Sequence, residues 1–282
     1  MFAKLKNSWA LIKASAAVLR ADKELIVFPI ISAIGVLIVT ATFALPMLLS
    51  GFLDSMLESR SQVFGFVVGF VFYVVQYVVI IFANSALVGA AMIRLAGGNP
   101  TLGDGFRIAA KHFVSILGYA LISATVGMIL RWISERGKRV GQIVSSILGM
   151  AWNLATYLVV PVLVVEGVGP LEAIKRSAQL LKKTWGEQIA GNFSIGLIFG
   201  LVGVLIALLG VPVIILAVTT ESIVLIVLTV LALVLVFVAL GLVSSTLNGI
   251  YIAALYRYAA AGEASGFFSE ELVQGAFRQK RM

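Results

Sequence analysis

The chain has 282 residues, of which 61% are apolar and only 12% charged, with a mean hydropathy of +1.08 and a net charge of +8. Soluble domains carry roughly 25% charged residues, so the surplus apolar surface here must face lipid rather than water. The absence of cysteine excludes disulfides, thiolate nucleophiles, cysteine zinc sites and iron–sulfur ligation together.

Ahead of the first long apolar run, Phe2, Leu5, Trp9, Ile12, Ala16 and Leu19 recur at three- and four-residue spacing. Lys4, Lys6, Lys13 and Arg20 fall largely on other faces, which predicts an amphipathic helix within residues 1–24, lying in the membrane interface. A crossing helix needs roughly 20 apolar residues, because about 1.5 Å per residue must cover about 30 Å of hydrocarbon. Six segments meet that test: 25–49, 64–93, 113–130, 143–165, 189–218 and 223–255. The first begins after a polar stretch too long for a signal peptide, and it reads as a retained span. The third is the weakest, interrupted by Ser115, Gly118, Ser123, Thr125 and Gly127. Pro161 and Pro212 are the expected kinks.

Segments 101–111 and 170–185 are again amphipathic, and they precede the third and fifth spans as the N-terminal segment precedes the first. The expected fold is therefore an all-α integral membrane protein with six transmembrane helices, arranged as three hairpins. Each hairpin follows a cytoplasmic interfacial helix. Residues 1–262 form a single transmembrane domain and 263–282 a short cytoplasmic tail, whose helix start is expected at Ser269.

Orientation follows from Lys and Arg, which cytoplasmic loops retain. With the N-terminus inside, sixteen of the 21 basic residues lie on the cytoplasmic side of an inner (plasma) membrane, as do both termini. Arg131, Arg136, Lys138 and Arg139 depart from the rule by falling in an outer loop. Keeping the third and fourth segments shallow on the inner side would remove that departure, whereas the length of the fourth favours a crossing.

No Asp, Glu, Lys or His lies in the middle of an expected span, and such groups are the usual mark of proton relays and ion-coupled transport. His112 has no second histidine or cysteine with which to build a zinc site. Neutral polar side chains do occur within the spans: Gln76, Asn84, Asn153, Asn192 and Asn248, accompanied by Ser85, Thr156, Ser244, Ser245 and Thr246. They read first as hydrogen bonds between helices and second as a hydrated path or polar pocket. Small residues at four-residue spacing mark candidate close contacts, at Gly65 with Gly69, Ser85 with Gly89, and Gly196 with Gly200. Such pairs serve contacts within one chain or between copies. Lys4, Lys6, Lys13, Arg20, Lys175, Arg176, Lys182 and Lys183 are the candidate partners of anionic lipid headgroups. The basic charge thus needs no nucleic acid, and no reader motif suggests one.

Four stretches carry a family resemblance. They are Asp22-Lys23-Glu24-Leu25 leading to Phe28-Pro29, Glu166 through Gly169-Pro170 and Ala173 to Ser177, Lys182-Lys183-Thr184-Trp185-Gly186-Glu187-Gln188, and Leu255-Tyr256-Arg257-Tyr258-Ala259. Together they resemble a prokaryotic family of six-span membrane proteins known only as a domain of unknown function. The stretch around Pro170 resembles, more loosely, the membrane domain attached to some bacterial glycerophosphodiesterases. The resemblance implies a six-span helical protein and brings no catalytic residue or cofactor. The functional expectation is a non-enzymatic protein that organises the membrane or binds a partner, which includes a homo-oligomer. The alternative is a passive channel or carrier for lipid or another poorly charged solute.

Overall fold

A computed structural model describes residues 2–49, 62–136, 138–185, 194–269 and 272. Among these, every regular element is helical. Helix α1 (Phe2–Ala21) leads through a 3₁₀ turn (Lys23–Ile26) into α2 (Val27–Leu49), followed by α3 (Gln62–Leu95) and a short α4 (Leu102–Lys111). Then come α5 (Phe113–Arg136), α6 (Lys138–Ala155), α7 (Val159–Glu166), α8 (Pro170–Trp185), α9 (Ser194–Thr219) and α10 (Ile223–Ala261). Six segments are long and apolar enough to cross a membrane: Lys23–Pro46, Val63–Leu95, Phe113–Arg136, Arg139–Glu166, Ile198–Thr219 and Ile223–Ala261.

Local chemistry sets the boundaries. The Thr101 hydroxyl accepts from the Asp104 amide while the Asp104 carboxylate accepts from the Thr101 amide, a reciprocal box that starts α4. Gly167 ends α7 and Gly262 ends α10, each in the left-handed region (φ 66° and 73°) that glycine enters without steric penalty.

Two sequence expectations are corrected. Arg131 and Arg136 lie in the last turns of α5 and Lys138 and Arg139 in the first turn of α6, rather than in a loop. The two helices lie close enough that a Cβ on Gly141 would meet the Ile133 carbonyl oxygen at 2.5 Å, and Ser145 donates to the Leu130 carbonyl at 2.8 Å. The fourth span is not one helix bent at Pro161 but two, separated at residues 156–158. Proline has no N–H for the carbonyl four residues back, that of Tyr157, and its ring crowds that carbonyl, so the break falls one turn ahead of it. By contrast, α9 continues through Pro212 and α2 through Pro46.

Helices α2 and α3 pack together through Gly35 against Val79 and through Phe43 against Phe72, whose rings lie 5.4 Å apart. Helices α9 and α10 do so through Gly210 against Leu233. Contact positions rise along one helix as they fall along the other, so each pair is antiparallel.

The buried core gathers at one end of these long helices. It is built from Leu11 and Val18 of α1, Leu25, Phe28, the second half of α3 around Leu87 and Ala91, Ala109 of α4, Ile116 of α5, Leu163 of α7, Leu181 of α8 and the last turns of α10. Phe268, beyond the last helix, is buried in it as well. At the far end the side chains stand exposed, among them Leu45, Phe66, Trp132, Leu208, Val224 and Leu235. An apolar surface of that extent requires lipid around it.

A polar groove beside the broken fourth span

Two polar stripes face one another across a groove between α6 and α10. On α6, Ser146, Gly149 and Asn153 recur at helical spacing; on α10, Gly241, Ser244, Ser245 and Asn248 do the same. Thr156, Tyr157, Ile195, Gly196 and Tyr251 complete a cavity of about 920 Å³. Toward the far end Ser146 also borders a second hollow of about 520 Å³, lined by Arg139, Gln142, Ile143 and Ile147. The hollows therefore continue one another along α6.

The break in the fourth span supplies part of the wall. The Tyr157 amide turns to the Leu154 carbonyl at 3.2 Å and the Val159 amide to the Thr156 carbonyl at 3.1 Å, leaving the normal helical pattern. The Leu158 amide is taken up by the Ser177 hydroxyl of α8 at 3.0 Å. Non-helical backbone at membrane depth persists only where protein or a polar cavity satisfies it, and both are present here. Discontinuous spans that line a midplane cavity are a recurrent way to build a binding site.

Among the described residues the floor is packed. Helix α8 packs beneath α5, α6, α7 and α10, burying Ala173, Leu180 and Leu181, and Leu158, Leu163, Ile250 and Leu255 fill the space between. Tyr251 sits at that floor, 2% exposed, and its hydroxyl has no hydrogen-bond partner among the described residues. Asn248 lies nine residues before Arg257, or about 13 Å along the helix, so the groove is well inside the apolar layer.

The sequence-derived candidates separate accordingly. Asn153 and Asn248 come together in this groove, with Thr156, Ser244 and Ser245. Asn84 lines a smaller hollow of about 320 Å³ on the other side of α10, which shares Gly241 and Ser245 with it. Gln76 instead joins helices, donating to the Thr40 hydroxyl at 2.8 Å and the Val36 carbonyl at 3.4 Å. Asn192 lies outside the described residues. Gly89 packs against Ile108 of α4 beside buried Ser85, whereas a Cβ at Gly69, Gly196 or Gly200 would meet nothing within 4 Å; Gly65 is half-buried. The groove residue that composition could not single out is Tyr251, because an isolated tyrosine in an apolar helix looks like core.

The packed end carries a cluster of charges, while Arg131 pairs with Glu135 at 2.8 Å at the far end. Arg176 pairs with Glu166 at 3.1 Å, and the Tyr256 hydroxyl donates to the same carboxylate at 3.1 Å. Arg257 donates to the Leu95 carbonyl and pairs with Glu263 at 3.0 Å, and Glu24 accepts from the Leu102 amide at 3.2 Å. Hydrogen bonds from Thr101 hold the Asp104 carboxyl below the usual range, while burial raises that of Asp22 despite nearby Arg94. Lys4 and Lys6 fall in the first turns of α1, Lys13 lies 5.8 Å from the Trp9 ring, and Arg20, Lys175, Lys182 and Lys183 are exposed. No group of three or more His, Cys, Asp or Glu side chains able to hold a metal occurs among the described residues.

Six apolar segments of crossing length, joined to a packed end, define a multi-pass helical membrane protein. Residues 63–267 match a family of unknown function, DUF6159, and the chain belongs to that family. No curated protein and no solved structure matches it. The looser likeness to the glycerophosphodiesterase membrane domain is not shown by these comparisons.

Proposed function

We propose that the chain is a non-enzymatic protein of the inner membrane that holds a partner within the bilayer and does not conduct solute. The observation that supports this is the packed floor: a polar groove enters the apolar layer and ends on the packed core around Leu163, Tyr251 and Leu255. An open channel needs a continuous polar route across the bilayer, and none passes the packed core among the described residues.

In this reading the packed end faces the cytoplasm with both termini. Helices α1, α4 and α8 lie in the interface, each leading a transmembrane hairpin. Exposed Arg20, Lys175, Lys182 and Lys183 meet anionic headgroups, each contributing about 1 kcal/mol near a negative leaflet. Arg176, already paired with Glu166, contributes less.

Two experiments test the reading. Purification in mild detergent is expected to recover the chain with lipid or a protein partner; repeated recovery of the bare chain counts against it. The Gly137→Cys variant, in a chain without native cysteine, is expected to react with an impermeant thiol reagent in intact cells. Absence of labelling would sink the six-span orientation.

A further inference from the structure

We propose that the groove between α6 and α10 binds an uncharged, hydroxyl-bearing amphiphile of the diacylglycerol or long-chain alcohol class, admitted sideways from the bilayer. The assignment rests on the reading that the chain binds rather than conducts, and it adds the chemistry of what is bound.

The walls decide the charge. None of the residues lining the inner hollow is ionisable at neutral pH, and the guanidinium of Arg139 borders only the outer one. A phosphate headgroup drawn to the level of Asn153 and Asn248 would lose water without gaining a counter-charge, which is costly in hydrocarbon. A hydroxyl or ester group has no such penalty. Carboxamides and hydroxyls each donate and accept, so Asn153, Asn248, Ser244 and Ser245 match the mixed donors and acceptors of a glycerol-like head.

The floor decides the width. The Tyr251 hydroxyl lies beneath the groove surface, closed even to a water-sized group, so the polar contacts open to a ligand are those of Asn153, Asn248, Ser244 and Ser245. A partner's transmembrane helix is about 10 Å across and keeps its axis about 8–10 Å from its neighbours, so it would lie along the rim. A hydroxymethyl group is narrow enough to enter. The rim decides the rest of the ligand: Ile143 at 60% exposure, Ile147 at 62% and Met150 at 57% continue the lipid-facing surface, so an attached chain stays in the bilayer. A volume of about 920 Å³ fits a small-molecule head with the first carbons of its chains.

The test uses the full-length chain in phosphatidylcholine vesicles carrying, at equal mole fraction, a photoactivatable diacylglycerol or the matched phosphatidic acid. The diacylglycerol probe is expected to label α6 and α10 about tenfold more than phosphatidic acid, the ratio given by 1.4 kcal/mol of preference. Asn153→Leu combined with Asn248→Leu is expected to reduce that labelling about tenfold, again 1.4 kcal/mol, while Gln76→Leu leaves it unchanged. Should the double variant fail to fold, as judged by gel filtration after heating, Ser245→Val is read the same way, with a loss of about threefold expected. Equal labelling by the two probes, or labelling indifferent to these substitutions, overturns the proposal. So does a disulfide between two copies of the Ser245→Cys variant, because a second chain would then occupy the groove. Solute flux through the same vesicles would instead overturn the binding reading itself, so the two failures are distinguishable.

Discussion

Helices α3 and α10 each have two halves that obey different rules. In the first half of α3, Val63, Phe66 and Val67 are exposed; in the second, Ala86, Leu87 and Ala90 are almost wholly buried. Helix α10 changes in the same way, from exposed Leu231 and Leu235 to buried Ile250, Ala253 and Leu255. Both halves are apolar, but small and polar residues gather in the second: Ala83, Ala86, Ala90 and Ala91 in α3, and Ser244, Ser245, Asn248, Ala253 and Ala254 in α10. The neighbours change with them: α1, α4, α7 and α8 pack on the second halves, while each first half meets chiefly its partner helix, α2 or α9, and otherwise stands exposed. Apolar residues in a bilayer gain little by choosing protein over lipid, so the packed end must owe its order to close fit, capping and hydrogen bonds.

The comparison breaks most readily at the fully buried leucines. Leu87→Ala is expected to destabilise by about 2–5 kcal/mol, the range for a cavity in a core, whereas Leu205→Ala, lipid-exposed on α9, is expected within about 0.5 kcal/mol of wild type. Thermal unfolding in detergent, followed by gel filtration, compares the two. Equal losses would mean that both ends are packed alike.

Glycines sharpen the point. A Cβ on Gly105 would lie 2.7 Å from the Ala86 carbonyl oxygen, a backbone atom that cannot rotate aside, so Gly105→Ala is expected to lose about 1–3 kcal/mol. Gly200→Ala meets open space and is expected to be neutral or slightly stabilising in the same assay, through the better helix propensity of alanine. Gln76→Leu, which removes the bond to Thr40 between α2 and α3, is expected to lose about 0.6 kcal/mol by the same measurement.

The smallest effect concerns pH. Burial, with a lesser contribution from Lys111, holds the His112 pKa below its usual value of 6.5. The native state therefore prefers neutral imidazole. That stabilisation is fully present above pH 6.5 and is lost as the pH falls through the lower native value. The wild-type melting temperature is expected to decline more than that of His112→Gln between pH 7 and 5, and parallel curves would refute this.

Most of the crossing segments were legible from length and hydropathy alone, because hydrocarbon thickness imposes the same requirement on every span. The packed end was legible only as separate amphipathic patterns. Its geometry depends on contacts such as Gly118 against Pro170 and Glu24 with Leu102, which join residues distant in sequence. The candidate site was half legible. Asn153 and Asn248 stand out as polar residues in apolar runs, but carboxamides that glue helices look the same as carboxamides that line a groove. Gln76 proved to be the first kind and Asn153 the second. Tyr251 carried no signal, since its role depends on where α8 closes the floor. The helical placement of Arg131, Arg136, Lys138 and Arg139 escaped because four basic residues close in sequence resemble a loop.

The break at residues 156–158 also bears on the order in which the chain is assembled. The amide of Leu158 finds its acceptor at Ser177, nineteen residues later in synthesis. In the folded chain no neighbour within the fourth span satisfies that amide, so the span's backbone is completed from outside its own segment. Only after α8 has been made and has folded back is that amide covered, so the span matures as a consequence of a helix that follows it.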